Sequence, residues 1–169
     1  MKVTFSNLWP RLMMGIIVFG AATLVFALAY SALNAPPVKR PIFERASVTI
    51  LRNDGATFPL DLEIAHTPEQ KAYGLMFLRK LPKNSGMLFL WDQDIMLNMW
   101  MKNTYIPLDV GFLDRRGVII KIITHAVPLD LRQMSSDAPA RAVLEIEDGG
   151  FTKRGIKAGD RVIFSAFVD

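Results

Sequence analysis

The chain has 169 residues, which is enough for one domain and a tail but too few for two ordinary domains. It contains no cysteine, which excludes disulfides, thiol nucleophiles, cysteine metal sites and a lipid on an N-terminal cysteine. The net charge of +4 is a mild excess without a Lys/Arg cluster, so we expect no nucleic-acid partner.

The first predicted element is a hydrophobic helix near the N-terminus, where residues 13–33 carry no charge. A helix of about 20 residues spans roughly 30 Å, the thickness of a bilayer core. Lys2 and Arg11 precede this run, as expected for an end that stays in the cytoplasm. A cleaved signal peptide is the alternative, because residues 27–29 (Ala-Leu-Ala) offer a small-x-small cleavage site. A buried soluble helix is less favoured, since no face of the run is polar.

Residues 1–33 are therefore interpreted as a signal peptide or membrane anchor, with membrane contact through residues 13–33. Both interpretations predict an exported protein, either anchored in the inner membrane or periplasmic, with its domain on the non-cytoplasmic side. Residues 34–44 are predicted to be a linker, because three prolines fall within nine residues there. The domain itself is predicted to span residues 45–169.

Within residues 45–169, alternation of apolar and polar side chains predicts mostly strands. Residues 53–55 (Asn-Asp-Gly) predict a hairpin turn before the strand TFPLDLEIA at residues 57–65, and residues 114–117 predict a second turn. Thr67 begins a capping box that predicts a helix to about Leu75. Residues 125–140 lack periodicity and are predicted to be a long connection. The other predicted elements are strands at 87–91, 96–102, 108–113, 118–124, 141–147 and 162–168, with a helical turn at 151–154.

This order of elements lacks the spacing of alternating strands and helices that parallel sheets require. The predicted fold is therefore mostly β: a small antiparallel sandwich or barrel-like domain with one or two short helices, preceded by the N-terminal hydrophobic helix.

The densest group of polar and aromatic residues lies between Met96 and Asp109. A hairpin across residues 103–107 would bring Lys102 close to Asp109. One interpretation is a cross-strand ion pair with Trp100 in the core. The other is a polar cluster beside an aromatic platform at the mouth of a pocket.

Metal sites are less favoured. Met96, Met99 and Met101 are soft ligands suited to Cu(I), but alternation along a strand places Met96 on the opposite face from the other two. His66 and His125 form no zinc-binding pattern. We therefore predict no metal and no other cofactor.

Several short motifs occur in a recognisable order. Together they resemble the exported bacterial and archaeal proteins grouped as domain of unknown function family 192, over about residues 55–165. The resemblance implies a compact, mostly β domain behind a signal peptide or anchor, and no established activity. Leu78 stands where such proteins commonly carry arginine, with Arg79 one place later, so no role for that arginine carries over. The motifs are Gly74-Leu75-Met76-Phe77, Leu81-Pro82, Gly86-Met87-Leu88-Phe89, Trp100-Met101-Lys102-Asn103-Thr104, Ile106-Pro107-Leu108-Asp109, Val143-Leu144-Glu145 and Gly159-Asp160-Arg161-Val162.

The resemblance also implies a set of candidate binding residues, because its pattern includes Trp100, Lys102, Asn103, Thr104, Pro107 and Asp109.

Three functions are compatible with these features. The favoured one is a non-catalytic module that binds a small ligand or an envelope component, with a pocket formed by the Trp100–Asp109 hairpin and the 125–140 connection. The second is a hydrolase or lyase that uses Lys102, Asp109 or His125 as acid or base. The third is a structural partner of another envelope protein, which predicts an exposed apolar patch.

Overall fold

The structure is a computed structural model that describes residues 39–167, and this part of the chain contains seven strands and two short helices. The predicted hydrophobic helix at residues 13–33 lies outside the described residues. Among the described residues, no helix has the length and apolar character needed to cross a membrane. The strands are β1 (Glu44–Leu51), β2 (Thr57–Ala65), β3 (Ser85–Met99), β4 (Leu108–Leu113), β5 (Ile119–Ala126), β6 (Met134–Glu147) and β7 (Arg161–Ile163), and the helices are α1 (Pro68–Tyr73) and α2 (Gly150–Lys153).

The strands form one curled sheet, shaped like half of a barrel, in the order β5-β4-β6-β3-β2-β1-β7. The prediction of a mostly β domain with short helices is confirmed. The prediction of a wholly antiparallel sheet is wrong, because β2 and β3 pair in parallel. Parallel neighbours need a crossover connection, and α1 together with the segment after it provides the crossover here.

Local sequence chemistry explains the helix and turns that were predicted. Thr67 Oγ1 accepts a hydrogen bond from the backbone N–H of Gln70 at 3.2 Å, and Gln70 Oε1 accepts one from the Thr67 N–H at 3.1 Å. This reciprocal capping box begins α1 where it was predicted. The turns at residues 53–55 and 114–117 join β1 to β2 and β4 to β5, which confirms both hairpins.

Strand pairing makes β3 and β6 longer than the strands predicted at these positions. The strands predicted at 87–91 and 96–102 are one strand, β3, whose register with β6 shifts between Leu90 and Ile95. Residues 125–140 are not a long connection, because β5 reaches Ala126 and β6 begins at Met134. The first half of β6 shows no local periodicity, and pairing with the distant strand β3 holds it in a strand conformation. The last predicted strand is also shorter and ends at Ile163.

Both faces of the sheet are buried. Adjacent residues on the central strand β6, Val143 and Leu144, belong to two different hydrophobic clusters. The first cluster includes Met87, Phe89, Val110 and Phe112, and we call its side of the sheet the first face. The second cluster includes Ile50, Leu62, Leu88 and Phe151, and it defines the second face. A strand that is buried on both faces has a continuous run of apolar residues, so the residue types alone do not show which face a given side chain occupies.

Candidate functional site

The central strand β6 places an acidic side chain, Glu145, inside the first face of the sheet. Glu145 pairs with Met87 on β3 and with Val110 on β4, and alternation puts it on the same face as Val143. The residue is 4% exposed, and no group in the described part of the chain hydrogen-bonds its carboxyl. Burial raises the pKa of Glu145 to about 8, since the low-polarity surroundings disfavour the charged form. At neutral pH the group is therefore a neutral carboxylic acid, able both to donate and to accept a hydrogen bond.

Glu145 lines a pocket of about 100 Å³ between α1, the first half of β3 and the segment after β3. The volume is enough for a few waters or for one end group of a larger molecule. Three of the sequence-predicted site residues, Trp100, Lys102 and Thr104, lie in its lining. Among the other lining residues are Lys71, Tyr73, Met76, Phe89, Trp91, Asn98 and Met99.

Two lysine–tryptophan pairs form part of the pocket wall. Lys71 Nζ lies 5.0 Å from the centre of the Trp91 ring and donates a hydrogen bond to the Leu90 carbonyl at 3.0 Å. Lys102 Nζ lies 5.1 Å from the centre of the Trp100 ring. Cation–π contact at these distances is attractive and orients each lysine over its ring. The pocket therefore combines aromatic surfaces, two ammonium groups and one neutral acid.

Backbone hydrogen bonds from neighbouring segments hold the chain between Met101 and Thr104 in place. The Met101 N–H donates to the Asp130 carbonyl at 2.9 Å, and the Thr104 carbonyl accepts from the Leu129 N–H at 3.1 Å. Asn103 has a positive φ of 54°, and its Nδ2 lies 3.8 Å from Met76 Sδ. This segment is a connection between β3 and β4 rather than the predicted hairpin. Trp100 is 46% exposed, which also overturns its interpretation as a core residue.

Asp109 lies apart from this pocket, on the second face of the sheet. It is fully buried, and its two carboxylate oxygens accept backbone hydrogen bonds from His125 at 3.1 Å and from Phe151 at 3.0 Å. The predicted pairing of Lys102 with Asp109 is wrong, because β6 inserts between β3 and β4 and separates the two segments. Asp109 instead links β5 and the start of α2 to β4.

Pro107 and His125 also lie outside the pocket. Pro107 lines a different surface cavity together with Glu147 and Arg154. His125 is exposed, with Nδ1 2.6 Å from Asp148 Oδ1. Of the three residues of the enzyme hypothesis, Asp109 and His125 are in contact with each other, and Lys102 lies in the Glu145 pocket.

The described residues contain one group with metal-ligand character, which consists of Asp109, His125 and Asp148, each offering an atom within 4.8 Å of the others. Both oxygens of Asp109 accept backbone hydrogen bonds, and His125 Nδ1 lies 2.6 Å from Asp148 Oδ1. These hydrogen bonds already engage all three side chains. The methionines considered for copper do not converge either, since Met96 is 51% exposed and Met101 is buried in the first cluster.

Sequence reasoning missed Glu145, Trp91 and Lys71 as pocket residues. Glu145 carries a usable signal, because it is the only acid in the apolar run Ala142–Ile146 of a strand that is buried on both faces. It also falls within one of the motifs that carry the family resemblance. Trp91 and Lys71 carry no such signal, because only the crossover through α1 brings them together.

The fold and site define a class of small, mostly β domain in which a curled mixed sheet buries a lone acid beside an aromatic pocket. A family model matches residues 49–164, and the chain belongs to that family, DUF192, which is described as an uncharacterized ACR. This confirms the resemblance to domain of unknown function family 192.

Two solved structures are similar to this chain. One, from Sinorhizobium meliloti 1021, is provisionally described as a transcription regulator; it is 34% identical, with a TM-score of 0.72, over 74% of this chain and 97% of that one. The other is a protein of unknown function from Novosphingobium aromaticivorans DSM 12444; it is 35% identical, with a TM-score of 0.70, over 79% of this chain and 96% of that one. No curated protein matches the chain.

Proposed function

We propose that this protein is a non-catalytic binding module whose pocket takes a neutral, hydroxyl-bearing end group, such as part of a sugar ring. The observation that carries the proposal is Glu145, a buried carboxyl without a protein partner in the described chain that lines a pocket with two tryptophans. The Glu145 oxygens are not among the fully buried unpaired atoms of the described residues, so they open onto the pocket, where a ligand group can hydrogen-bond them.

The chemistry of the lining favours a neutral ligand over an ion. A protonated Glu145 offers one O–H donor and one acceptor, which match a hydroxyl group. The ammonium groups of Lys71 and Lys102 disfavour an amine in the same pocket. The half-exposed ring of Trp100 offers a stacking surface for the apolar C–H face of a sugar ring, whereas the Trp91 ring already contacts Lys71 and Phe89. An envelope glycan would be a natural source of such a group for an exported protein.

Binding is favoured over hydrolysis of a sugar bond because of the carboxyl groups that the pocket offers. Glycoside hydrolysis uses two carboxyl groups on opposite sides of the scissile bond. Glu145 is the only carboxyl in the lining of this pocket within the described chain. The alternative, a hydrolase or lyase that uses Lys102, Asp109 or His125 as acid or base, keeps Lys102 as its one candidate in this pocket, since Asp109 is buried elsewhere and His125 is exposed.

We also propose that residues 13–33 tether the domain on the non-cytoplasmic side of the inner membrane. An alkaline phosphatase fused after Asp169 tests this location, because it is active only outside the cytoplasm. An inactive but stable fusion would contradict export.

The ligand proposal is tested by thermal denaturation of the full-length chain in a polyoxyethylene detergent, which carries no sugar. The probes are glucose, galactose and N-acetylglucosamine, with acetate and phosphate as anionic comparators. A ligand at 100 times its dissociation constant stabilises the native state by about 2.7 kcal/mol. We expect a rise in melting temperature with at least one neutral sugar.

Matched substitutions connect any such rise to the pocket. Glu145→Leu keeps the approximate size of the side chain and removes both the O–H donor and the carbonyl acceptor, so it should abolish the rise. Glu69→Leu makes the same change at an exposed acid on α1 and should leave the rise intact. A response to acetate and phosphate alone would contradict a neutral ligand, and a response that survives Glu145→Leu would contradict the pocket.

A further inference from the structure

Exposed apolar side chains are concentrated beside the mouth of the Glu145 pocket. They come from three segments, at residues 77–80, 100–105 and 127–132, and we call them the apolar rim. Its members are Phe77, Trp100, Tyr105, Val127, Leu129 and Leu131, which are between 38% and 63% exposed.

Direct contacts hold these three segments side by side. The Phe77 N–H donates to the Asn103 carbonyl at 2.9 Å, and the Phe77 and Tyr105 rings pack edge to face at 6.1 Å. On the other side, the Leu129 N–H donates to the Thr104 carbonyl at 3.1 Å. The rim is therefore one continuous structural feature, with the 100–105 segment in its middle.

Two members of the rim adopt an unfavourable backbone conformation. Phe77 has a φ of 64° and Leu129 has a φ of 63°, a region that bulky side chains rarely occupy. The hydrogen bonds to the 100–105 segment hold both residues in this conformation. Their large apolar side chains are nonetheless exposed rather than packed into the core.

The charges within the same three segments are mostly positive. Arg79, Lys80, Lys102 and Arg132 are all exposed, and the guanidinium of Arg79 lies 5.6 Å from the centre of the Tyr105 ring. The only acid in these segments is Asp130, which pairs with Arg132 at 2.5 Å. The rim thus combines aromatic and aliphatic side chains with a net positive charge.

We propose that the apolar rim docks onto the surface of an anionic lipid bilayer. Aromatic rings and leucines enter the boundary between headgroups and acyl chains, while lysine and arginine attract anionic headgroups. Nucleic acid would attract the same cations but would leave Val127, Leu129 and Leu131 uncovered. The sequence-predicted linker at residues 34–44 reaches about 35 Å when extended, which keeps a tethered domain within range of a bilayer.

A single fluorescent label tests this docking, since the chain has no cysteine and an introduced one is unique. Leu131→Cys carries an environment-sensitive dye on the full-length protein, reconstituted in nanodiscs of phosphatidylcholine with or without phosphatidylglycerol. We expect a blue shift of the dye emission that requires phosphatidylglycerol and weakens in high salt. A spectrum that is equal in both lipid compositions and in detergent would overturn the proposal.

Ala158→Cys provides the control position. The neighbouring Gly159 N–H donates to the carbonyl of Ile119, the first residue of β5, whereas the rim segment at 127–132 follows the last residue of that strand. The eight residues of β5 separate the two positions by about 25 Å. A dye at Ala158 should therefore stay in water, and an equal shift at both positions would contradict docking through the rim.

Charge reversal tests the electrostatic part of the proposal. Arg79→Glu with Lys80→Glu should reduce the ratio of docked to undocked protein roughly 30-fold or more, since each cation near an anionic surface contributes measurably. Arg115→Glu with Lys157→Glu changes the net charge equally at exposed sites on the turns next to β5 and β7, and should have little effect.

Two further results separate docking from other interpretations. A rim label that stays in water in nanodiscs, but is shielded in native membrane vesicles, would indicate a protein partner instead and would overturn the bilayer proposal. Glu145→Leu, which removes the ligand-binding group, should leave docking unchanged, so failure of the ligand proposal and failure of this one are distinguishable.

Discussion

The substitution Glu145→Gln should remove a pH-dependent loss of stability from the protein. The pKa of Glu145 in the folded state is raised to about 8 from its ordinary value of 4.5, because the carboxyl is buried. Between these two values the folded state keeps a proton that the unfolded state has released. The free energy of unfolding therefore falls as pH rises, by about 1.4 kcal/mol for each pH unit. From about pH 5 to 7.5 the loss is roughly 3 kcal/mol, and it stops once pH exceeds the folded pKa.

Urea unfolding of the full-length chain, followed by near-UV circular dichroism at several pH values, measures this effect. The difference between the variant and the natural protein should be near zero at about pH 5 and grow to roughly 3 kcal/mol at about pH 7.5. Taking the difference cancels every titration that the two proteins share. Glu69→Gln, at an exposed acid, should show no such growth. If Glu145→Gln and the natural protein lose stability in parallel over this range, Glu145 is not a buried neutral acid.

Three further predictions concern stability. Asp109→Ala should lower the free energy of unfolding by about 2–4 kcal/mol in urea titrations, because it leaves two backbone N–H donors without their acceptor; an unchanged midpoint would show that those hydrogen bonds contribute little. Gly86→Ala places a methyl group 2.1 Å from the backbone carbonyl oxygen of Glu145 and should lower the free energy of unfolding by about 3 kcal/mol. A melting temperature equal to that of the natural protein would refute this close approach. Thr67→Ala removes one half of the capping box and should cost about 1 kcal/mol, whereas Thr67→Ser should retain most of it.

The elements that the sequence predicted well are those determined by a few adjacent residues. A capping box needs only Thr67 and Gln70, and the turns at 53–55 and 114–117 need only side chains that favour tight turns. The pairing of strands depends instead on residues that are far apart in the chain. Nothing local to residues 103–107 shows that β6, about 30 residues further on, lies between the two flanking segments.

The candidate site was predicted in part for the same reason. Trp100, Lys102 and Thr104 are neighbours in the chain and remain neighbours in the pocket. Asp109 belongs to the same stretch of sequence. Its neighbour Leu108 packs into the first cluster, so alternation along β4 places Asp109 on the second face of the sheet, away from the pocket. Glu145 comes from a distant strand, and its partnerless burial is visible only once β3 and β4 flank it.

The position of β6 in the middle of the sheet affects the order in which the chain can fold during synthesis. Strands β1 to β3 emerge first, but the outer edge of β3 remains unpaired until Met134–Glu147 has been made. One edge of β4 also remains unpaired until then, because β6 is the second neighbour of β4 in the sheet. Contacts of such high sequence separation form slowly. A nascent chain ending before residue 134 therefore lacks the strand that joins its two halves. The edges of β3 and β4 that β6 later covers stay open to aggregation until that strand arrives.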